Sequence, residues 1–224
     1  MATWDVYLEG RIVFMAGGFW AKNWFKVGIT VVLLAIIASF AYKLYGQEQA
    51  SAYLKDKPVG TAAPFELTDT EGKKVSSSDF DNKVKLVYFF FASCPDVCPI
   101  TTNFLSKVQD EMKAQKVFAD KADIVSISFD PARDTPAALK EYAIRNRADF
   151  TGWKFLTGTD EQAMAQLAKK YSIGVTKDNT GNFTHSNVIL LVDKKGQIRT
   201  YYNPGRPDLD YKTIVKDIKS LSKE

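Results

Sequence analysis

Two cysteines and one histidine are all the thiol and imidazole that 224 residues contain. Counting alone excludes a fold stapled by several disulfides. It also excludes a structural zinc site built from four cysteines, or from two cysteines and two histidines. No cysteine precedes Cys94, which excludes a lipid-modified N-terminal cysteine ahead of the outer domain. The net charge of +4 is mild, and no basic stripe with interleaved aromatics occurs, so nothing points to a nucleic-acid partner. Internal repeats and low-complexity segments are also missing. With 46% hydrophobic and 25% charged residues, the composition is that of a globular chain, long enough for one sizeable domain plus an appendage.

What is present begins with one uncharged run. Val27 to Tyr42 reads VGITVVLLAIIASFAY between Lys26 and Lys43. Lysine stems can snorkel, and Trp20, Trp24, Phe25, Tyr42 and Tyr45 form aromatic belts, so the run predicts one transmembrane helix over 25–45. Arg11, Lys22 and Lys26 precede it, which places 1–24 in the cytoplasm and the rest outside. The expected location is the cell inner membrane with the domain facing the periplasm or exterior. The alternative is the mitochondrial inner membrane, facing the intermembrane space. Cleavage after Ser39-Phe40-Ala41 is a further option for this leader, against which stand its length and the Lys43 flank. Residues 46–60 are polar and small, a tether, and 61–224 form the outer domain.

That domain alternates strand and helix patterns. Val84 to Phe91 is a buried-strand run, and Ile100, Phe104, Leu105, Val108 and Met112 share a helical face. Asp123–Phe129 and Trp153–Thr157 read as strands. Helices are expected from Thr135-Pro136, over Asp160–Tyr171 and over Asp210–Ser222. Gly174 to Thr184 reads as a loop, followed by the apolar strand Asn187–Asp193 and a turn into Ile198–Tyr202. The order predicts an α/β, thioredoxin-like fold with a final hairpin and closing helix.

Both cysteines lie in Phe91-Ala92-Ser93-Cys94-Pro95-Asp96-Val97-Cys98-Pro99, at a strand-to-helix turn. A helix start favours thiolate, so lowered thiol pKa values are expected there. Thiolates are nucleophiles and soft ligands. Flanking prolines and Asp96 argue for an irregular loop rather than packed core, with Asp96 either adjusting thiol basicity or simply solvated. His185 stands at the end of the predicted loop, close in such a fold to the cysteine turn. Two sulfurs and an imidazole suit Cu(I) or, with an added oxygen, Cu(II). Zinc, dithiol–disulfide cycling, a peroxidatic thiol, and a metal-free surface histidine all remain open from these residues alone.

The cysteine stretch resembles that of the Sco (SenC) family of membrane-anchored, thioredoxin-like copper proteins. Three further segments follow in order. Asp130-Pro131-Ala132-Arg133-Asp134-Thr135-Pro136 looks like the family's Asp-Pro-x-Arg-Asp-Thr-Pro. Trp153-Lys154-Phe155-Leu156-Thr157-Gly158 resembles its Trp-x-x-Leu-Thr-Gly. Thr184-His185-Ser186, with Leu190-Leu191-Val192-Asp193 and Gly196, is similar to its histidine-bearing strand. The resemblance spans about 58–222 and implies copper, Cu(I) or Cu(II), held by Cys94, Cys98 and His185. It further implies a chaperone that receives copper from a donor protein and matures the dinuclear copper centre on the copper-bearing subunit of cytochrome c oxidase. The alternative is a thiol–disulfide oxidoreductase, with Cys94 and Cys98 as redox pair, that reduces the cysteines of that centre. The Pro-x-x-x-Thr-x-x-Cys form of peroxiredoxins is absent, which disfavours peroxide chemistry. One departure is Thr184, where many members carry an acidic residue that would orient the imidazole. Asp130 and Asp134 read as a strand end and a helix-start device.

Overall fold

Val84–Phe90 (β4) is the axis of the outer unit, a strand buried at every position because neighbours cover both its faces. The computed structural model describes residues 18–46, 51, 53–55, 57–94, 97–179 and 183–224. Two compact units emerge, 1–48 and 49–224. In the first, Gly18–Gly46 (α1) is a 29-residue helix. Its described side chains, residues 24–40, are all exposed and largely apolar. Among the described residues no helix is long and apolar enough to cross a membrane.

The second unit holds an eight-stranded mixed sheet. Its short strands are Gly60–Thr61 (β1), Glu66–Asp69 (β2) and Lys74–Ser76 (β3), the last leading into a 3-10 turn, Ser77–Phe80. Ala122–Ser128 (β5) and Trp153–Thr157 (β6) run parallel to β4. Ile189–Val192 (β9) and Gln197–Tyr202 (β10) form the expected closing hairpin, with β9 antiparallel to β4. The strand order is β1-β10-β9-β4-β5-β6-β2-β3.

Side-chain alternation along β4 assigns the layers. Phe90 stacks near Tyr88 and meets Tyr142 of Pro136–Arg145 (α3), at 5.3 Å between rings. Phe89 points the other way, to Tyr171 at the end of Glu161–Lys170 (α4), at 5.2 Å. Val97–Ala114 (α2) lies beside α3, where Thr102 and Tyr142 share a 2.8 Å hydrogen bond, and packs against Tyr211–Ser222 (α5). Helices therefore cover both faces. As expected, Thr135 caps α3 with Pro136 in its first turn.

The structure departs from the sequence reading in two places. The stretch read as the loop 174–184 contains a second, two-stranded sheet, Val175–Lys177 (β7) paired with Phe183–His185 (β8). Three rungs and half-exposed side chains leave no apolar signature. Part of the stretch read as tether is docked on the domain: Ser51 bonds Asp217 of α5, Tyr53 bonds Asp208, and the Lys55 carbonyl accepts from Arg199.

Candidate metal centre

The parallel pair β4 and β5 ends level, Phe90 opposite Ser128, and the Phe129 N–H donates to the Phe90 carbonyl at 3.1 Å. Beyond that rung the chain turns. The Cys94 N–H donates to the Phe91 carbonyl at 3.3 Å, closing a tight turn that carries the first thiol. Residues 95 and 96 lie outside the described residues, and with them the reading of Asp96. Cys98 sits in the first turn of α2, beneath the surface.

Both cysteines are free thiols and both are buried, Cys94 at 8% exposure and Cys98 at 0%. The expectation of a loop outside the core therefore does not hold. Neither does the lowered thiol pKa for Cys98. Burial, helped by the neighbouring Cys94 and opposed by contacts from the Phe91 backbone and Tyr88, leaves the Cys98 thiol pushed up to about 12. Desolvation outweighs the helix start because a thiolate there has lost its water. Tyr88, held well above its usual range by the same burial, donates to Asn187 Oδ1 at 3.3 Å.

His185, the last residue of β8, arrives from the second sheet. Its ring packs edge-on against Phe129 at 5.0 Å and Phe91 at 6.2 Å. Nδ1 lies 3.1 Å from the Ser186 carbonyl. A carbonyl only accepts, so this contact assigns the proton to Nδ1 and leaves Nε2 unprotonated, an acceptor. Nε2 faces Cys98 Sγ at 3.6 Å. Burial lowers the His185 pKa, which keeps the ring neutral and able to ligate.

Cys98 and His185 are thus brought into contact, with the Cys94 thiol beside Cys98. Among the described residues no group of three or more His, Cys, Asp or Glu side chains stands placed to hold a metal ion. The donor set nonetheless suits a soft metal ion. Bonds of about 2.3 Å to sulfur and about 2.0 Å to nitrogen, the lengths usual for zinc, at a near-tetrahedral angle put two donors about 3.5 Å apart, close to the 3.6 Å between Sγ and Nε2. Two sulfurs with a neutral imidazole fit copper. Thr184 is exposed and supplies no charge.

The segment after β5 frames this site, a role sequence reading missed. Asp134 does not cap α3. Its Oδ2 accepts from the Ala92 N–H at 2.9 Å and the Ser128 hydroxyl at 2.5 Å, and burial raises its pKa against those two bonds. Arg133 pairs with Asp130 and lies over both Phe91 and Phe183, 5.8 Å from each ring. The sequence position of Asp134 gave no adjacent signal, because it stands six residues past β5 in an Asp-Thr-Pro that reads as a helix start.

Comparison with known proteins follows the same outline. The SCO1/SenC family model matches residues 55–223. A SCO1 protein homolog of Bacillus subtilis (strain 168) is 30% identical over 171 residues, covering 75% of this chain and 86% of its own length. Among solved structures, BsSco is reported with a disulfide switch, as a member of the Sco family of cytochrome c oxidase assembly proteins. It is similar at a TM-score of 0.67 and 30% identity, over 78% of this chain and 98% of that one. Bradyrhizobium japonicum ScoI, solved with copper bound, is similar at 0.60 and 31% identity, over 72% and 99%.

Proposed function

This chain belongs to the SCO1/SenC family, and from that premise we propose that it is a copper metallochaperone of cytochrome c oxidase assembly. Copper is its cargo, taken from a donor protein on Cys94, Cys98 and His185 and passed to the dinuclear centre of the copper-bearing oxidase subunit. The observation that carries the reading is the 3.6 Å approach of Cys98 Sγ to the unprotonated Nε2 of His185, between residues 87 apart in sequence.

The residues divide the work. His185 offers a neutral nitrogen, pre-aimed by the Ser186 carbonyl. Cys98 holds its proton at neutral pH, so capture of copper expels that proton. Cys94, the more accessible thiol, is where an incoming ligand first reaches the site. Transfer is then ligand exchange: client thiolates replace the chain's donors one at a time, starting at Cys94.

We assign the membrane anchor to α1. Its described side chains, residues 24–40, span about 26 Å at 1.5 Å per residue. That falls slightly short of a hydrocarbon core of about 30 Å, and the sequence from Ala41 to Tyr45 supplies the remainder. Arg11, Lys22 and Lys26 then set the outer unit on the periplasmic or exterior side of the inner membrane. Anchoring confines the domain near a membrane-bound client and raises its effective concentration.

The full chain in detergent, reduced and anaerobic, is titrated with Cu(I) and separately Cu(II) against a competing chelator. One-to-one binding with a thiolate-to-Cu(II) charge-transfer band, lost in His185→Ala, supports the reading. A second reading, thiol–disulfide oxidoreductase, is favoured by the two free thiols lying side by side. In it Cys94 attacks a client disulfide and Cys98 resolves the mixed disulfide, releasing the client dithiol. Absence of copper retention together with rapid dithiol exchange, undiminished in His185→Ala, would select it instead.

A further inference from the structure

We propose that Asp134 is a positioning residue for copper: its carboxylate holds the turn that carries Cys94 in register with Cys98 and His185. The proposal rests on the copper reading above.

Asp134 is 1% exposed. A buried carboxylate persists only where hydrogen bonds replace its water. The donors it receives are both foreign to its own helix. The start of α3 is satisfied by Thr135, whose hydroxyl accepts from the Ala138 N–H at 3.3 Å, so local structure asks nothing of the Asp134 side chain. Its backbone N–H closes the 130–134 turn on the Asp130 carbonyl at 2.8 Å. The carboxylate is left to reach 42 residues back to Ala92.

That reach has a specific geometry. The β4–β5 ladder ends with the Phe129 N–H on the Phe90 carbonyl. Ala92 follows Phe90 by two, the spacing at which a strand next presents the same edge. No backbone carbonyl of β5 continues there, and Oδ2 of Asp134 takes its place. The ladder is extended by one rung made from a side chain, and the Phe91–Cys94 turn departs from that rung. The Ser128 hydroxyl, on the same oxygen, fixes the carboxylate in turn.

The same segment also steadies the histidine. The Phe129 ring touches His185, and the Arg133 guanidinium lies over Phe91 on the cysteine side and Phe183 on the histidine side. One stretch, 128–134, therefore braces both halves of the donor set, the cysteine half through Asp134. A purely structural role would lower stability and leave the folded site unaltered. A positioning role displaces Cys94 in the folded protein.

The full chain in detergent is compared as wild type, Asp134→Ala, Asp134→Asn and Ser128→Ala. Two readouts need no metal: hydrogen exchange at the Ala92 amide and the alkylation rate of Cys94. Two need copper: chelator competition and the position of the thiolate-to-Cu(II) band. In Asp134→Ala, Ala92 exchange and Cys94 alkylation are expected to rise about tenfold. Copper affinity is expected to fall about 10- to 100-fold, as for loss of a group supporting a ligand, with a shifted band. Asp134→Asn, whose amide oxygen still accepts from Ala92, recovers most of each. A folded Asp134→Ala with all four readouts within twofold of wild type overturns the proposal. If Asp134→Ala does not fold, Ser128→Ala decides: Ala92 exchange and Cys94 alkylation raised more than about twofold support the proposal, and values within about twofold of wild type overturn it. If wild type itself retains no copper, the copper reading and with it the role toward copper fall, while the two metal-free readouts separately report whether Asp134 holds the turn.

Discussion

Ser51 gives both its backbone N–H and its hydroxyl to the carboxylate of Asp217, 166 residues later in the chain, at 2.6 and 2.5 Å. Tyr202 of β10 adds a third donor at 2.7 Å, and Asp217 is wholly buried. Hydrogen bonds to a charged acceptor contribute about 1.5–3 kcal/mol, and a neutral one about 1. Asp217→Ala is therefore expected to lower the stability of the outer unit by about 2–3 kcal/mol. Ser51→Ala, which keeps the backbone donor and loses one bond to that charged acceptor, should cost about 1.5 kcal/mol. Urea unfolding checks both; equal midpoints for wild type and Asp217→Ala would mean the docked stretch adds nothing.

The two thiols should react unequally in the reduced, metal-free protein. Cys98 is fully buried and its thiol is pushed up to about 12, so little thiolate exists at neutral pH. Alkylation followed by peptide mass spectrometry is expected to label Cys94 at least about tenfold faster. Equal rates would contradict the burial of Cys98.

Lys85 predicts a pH dependence far from the site. It is buried on β4, donating to the Phe80 carbonyl at 3.2 Å. Burial lowers its pKa from the ordinary 10.5, while Asp81, Asp193 and Asp123 pull it back, Asp123 being shared with Lys83 at 3.1 Å. Between the folded value and 10.5 the unfolded chain binds more protons, so stability attributable to Lys85 rises with pH in that window. Below it, the cost of the buried charge is constant. Lys85→Met should therefore be the more stable protein near neutral pH, and its advantage should shrink as pH rises toward 10.5. Denaturation midpoints at several pH values decide; a gap that widens with pH refutes it.

Two glycines separate backbone crowding from side-chain crowding. A methyl at Gly152 would meet the Ala119 backbone nitrogen and the Phe118 ring at 2.9 Å, and the backbone cannot yield cheaply. Gly152→Ala is expected to cost about 1–3 kcal/mol. At Gly158 the obstacle is the Met164 thioether, a flexible end that can move aside. Gly158→Ala should cost less, measured by the same unfolding curves.

Much of this was legible in order and pattern. β4, β5, β6 and β9 are apolar runs because they are covered on both faces, and α3 and α5 announce themselves by their caps. The meeting of Cys98 with His185 was foreshadowed by scarcity, since two cysteines and one histidine leave little choice of thiol and imidazole. What was hidden depends on distant partners. The β7–β8 ribbon is short and half-exposed, so its composition is that of a loop. Cys98 obeys burial rather than the helix start it occupies. Asp134 sits in an Asp-Thr-Pro that already explains itself locally, and nothing adjacent to it points to Ala92. Ser51 looks like linker until Asp217 is in view.

His185 belongs to a ribbon of three rungs that shares no strand pairing with the eight-stranded sheet among the described residues. Freeing the imidazole therefore means parting that ribbon and a few ring contacts, a local opening whose free energy lies below that of global unfolding. On the proposed chaperone reading, metal handover and the lifetime of the fold are then set by different parts of this chain. Changes that strengthen the eight-stranded sheet would prolong the protein's survival and leave the opening of the His185 ribbon untouched.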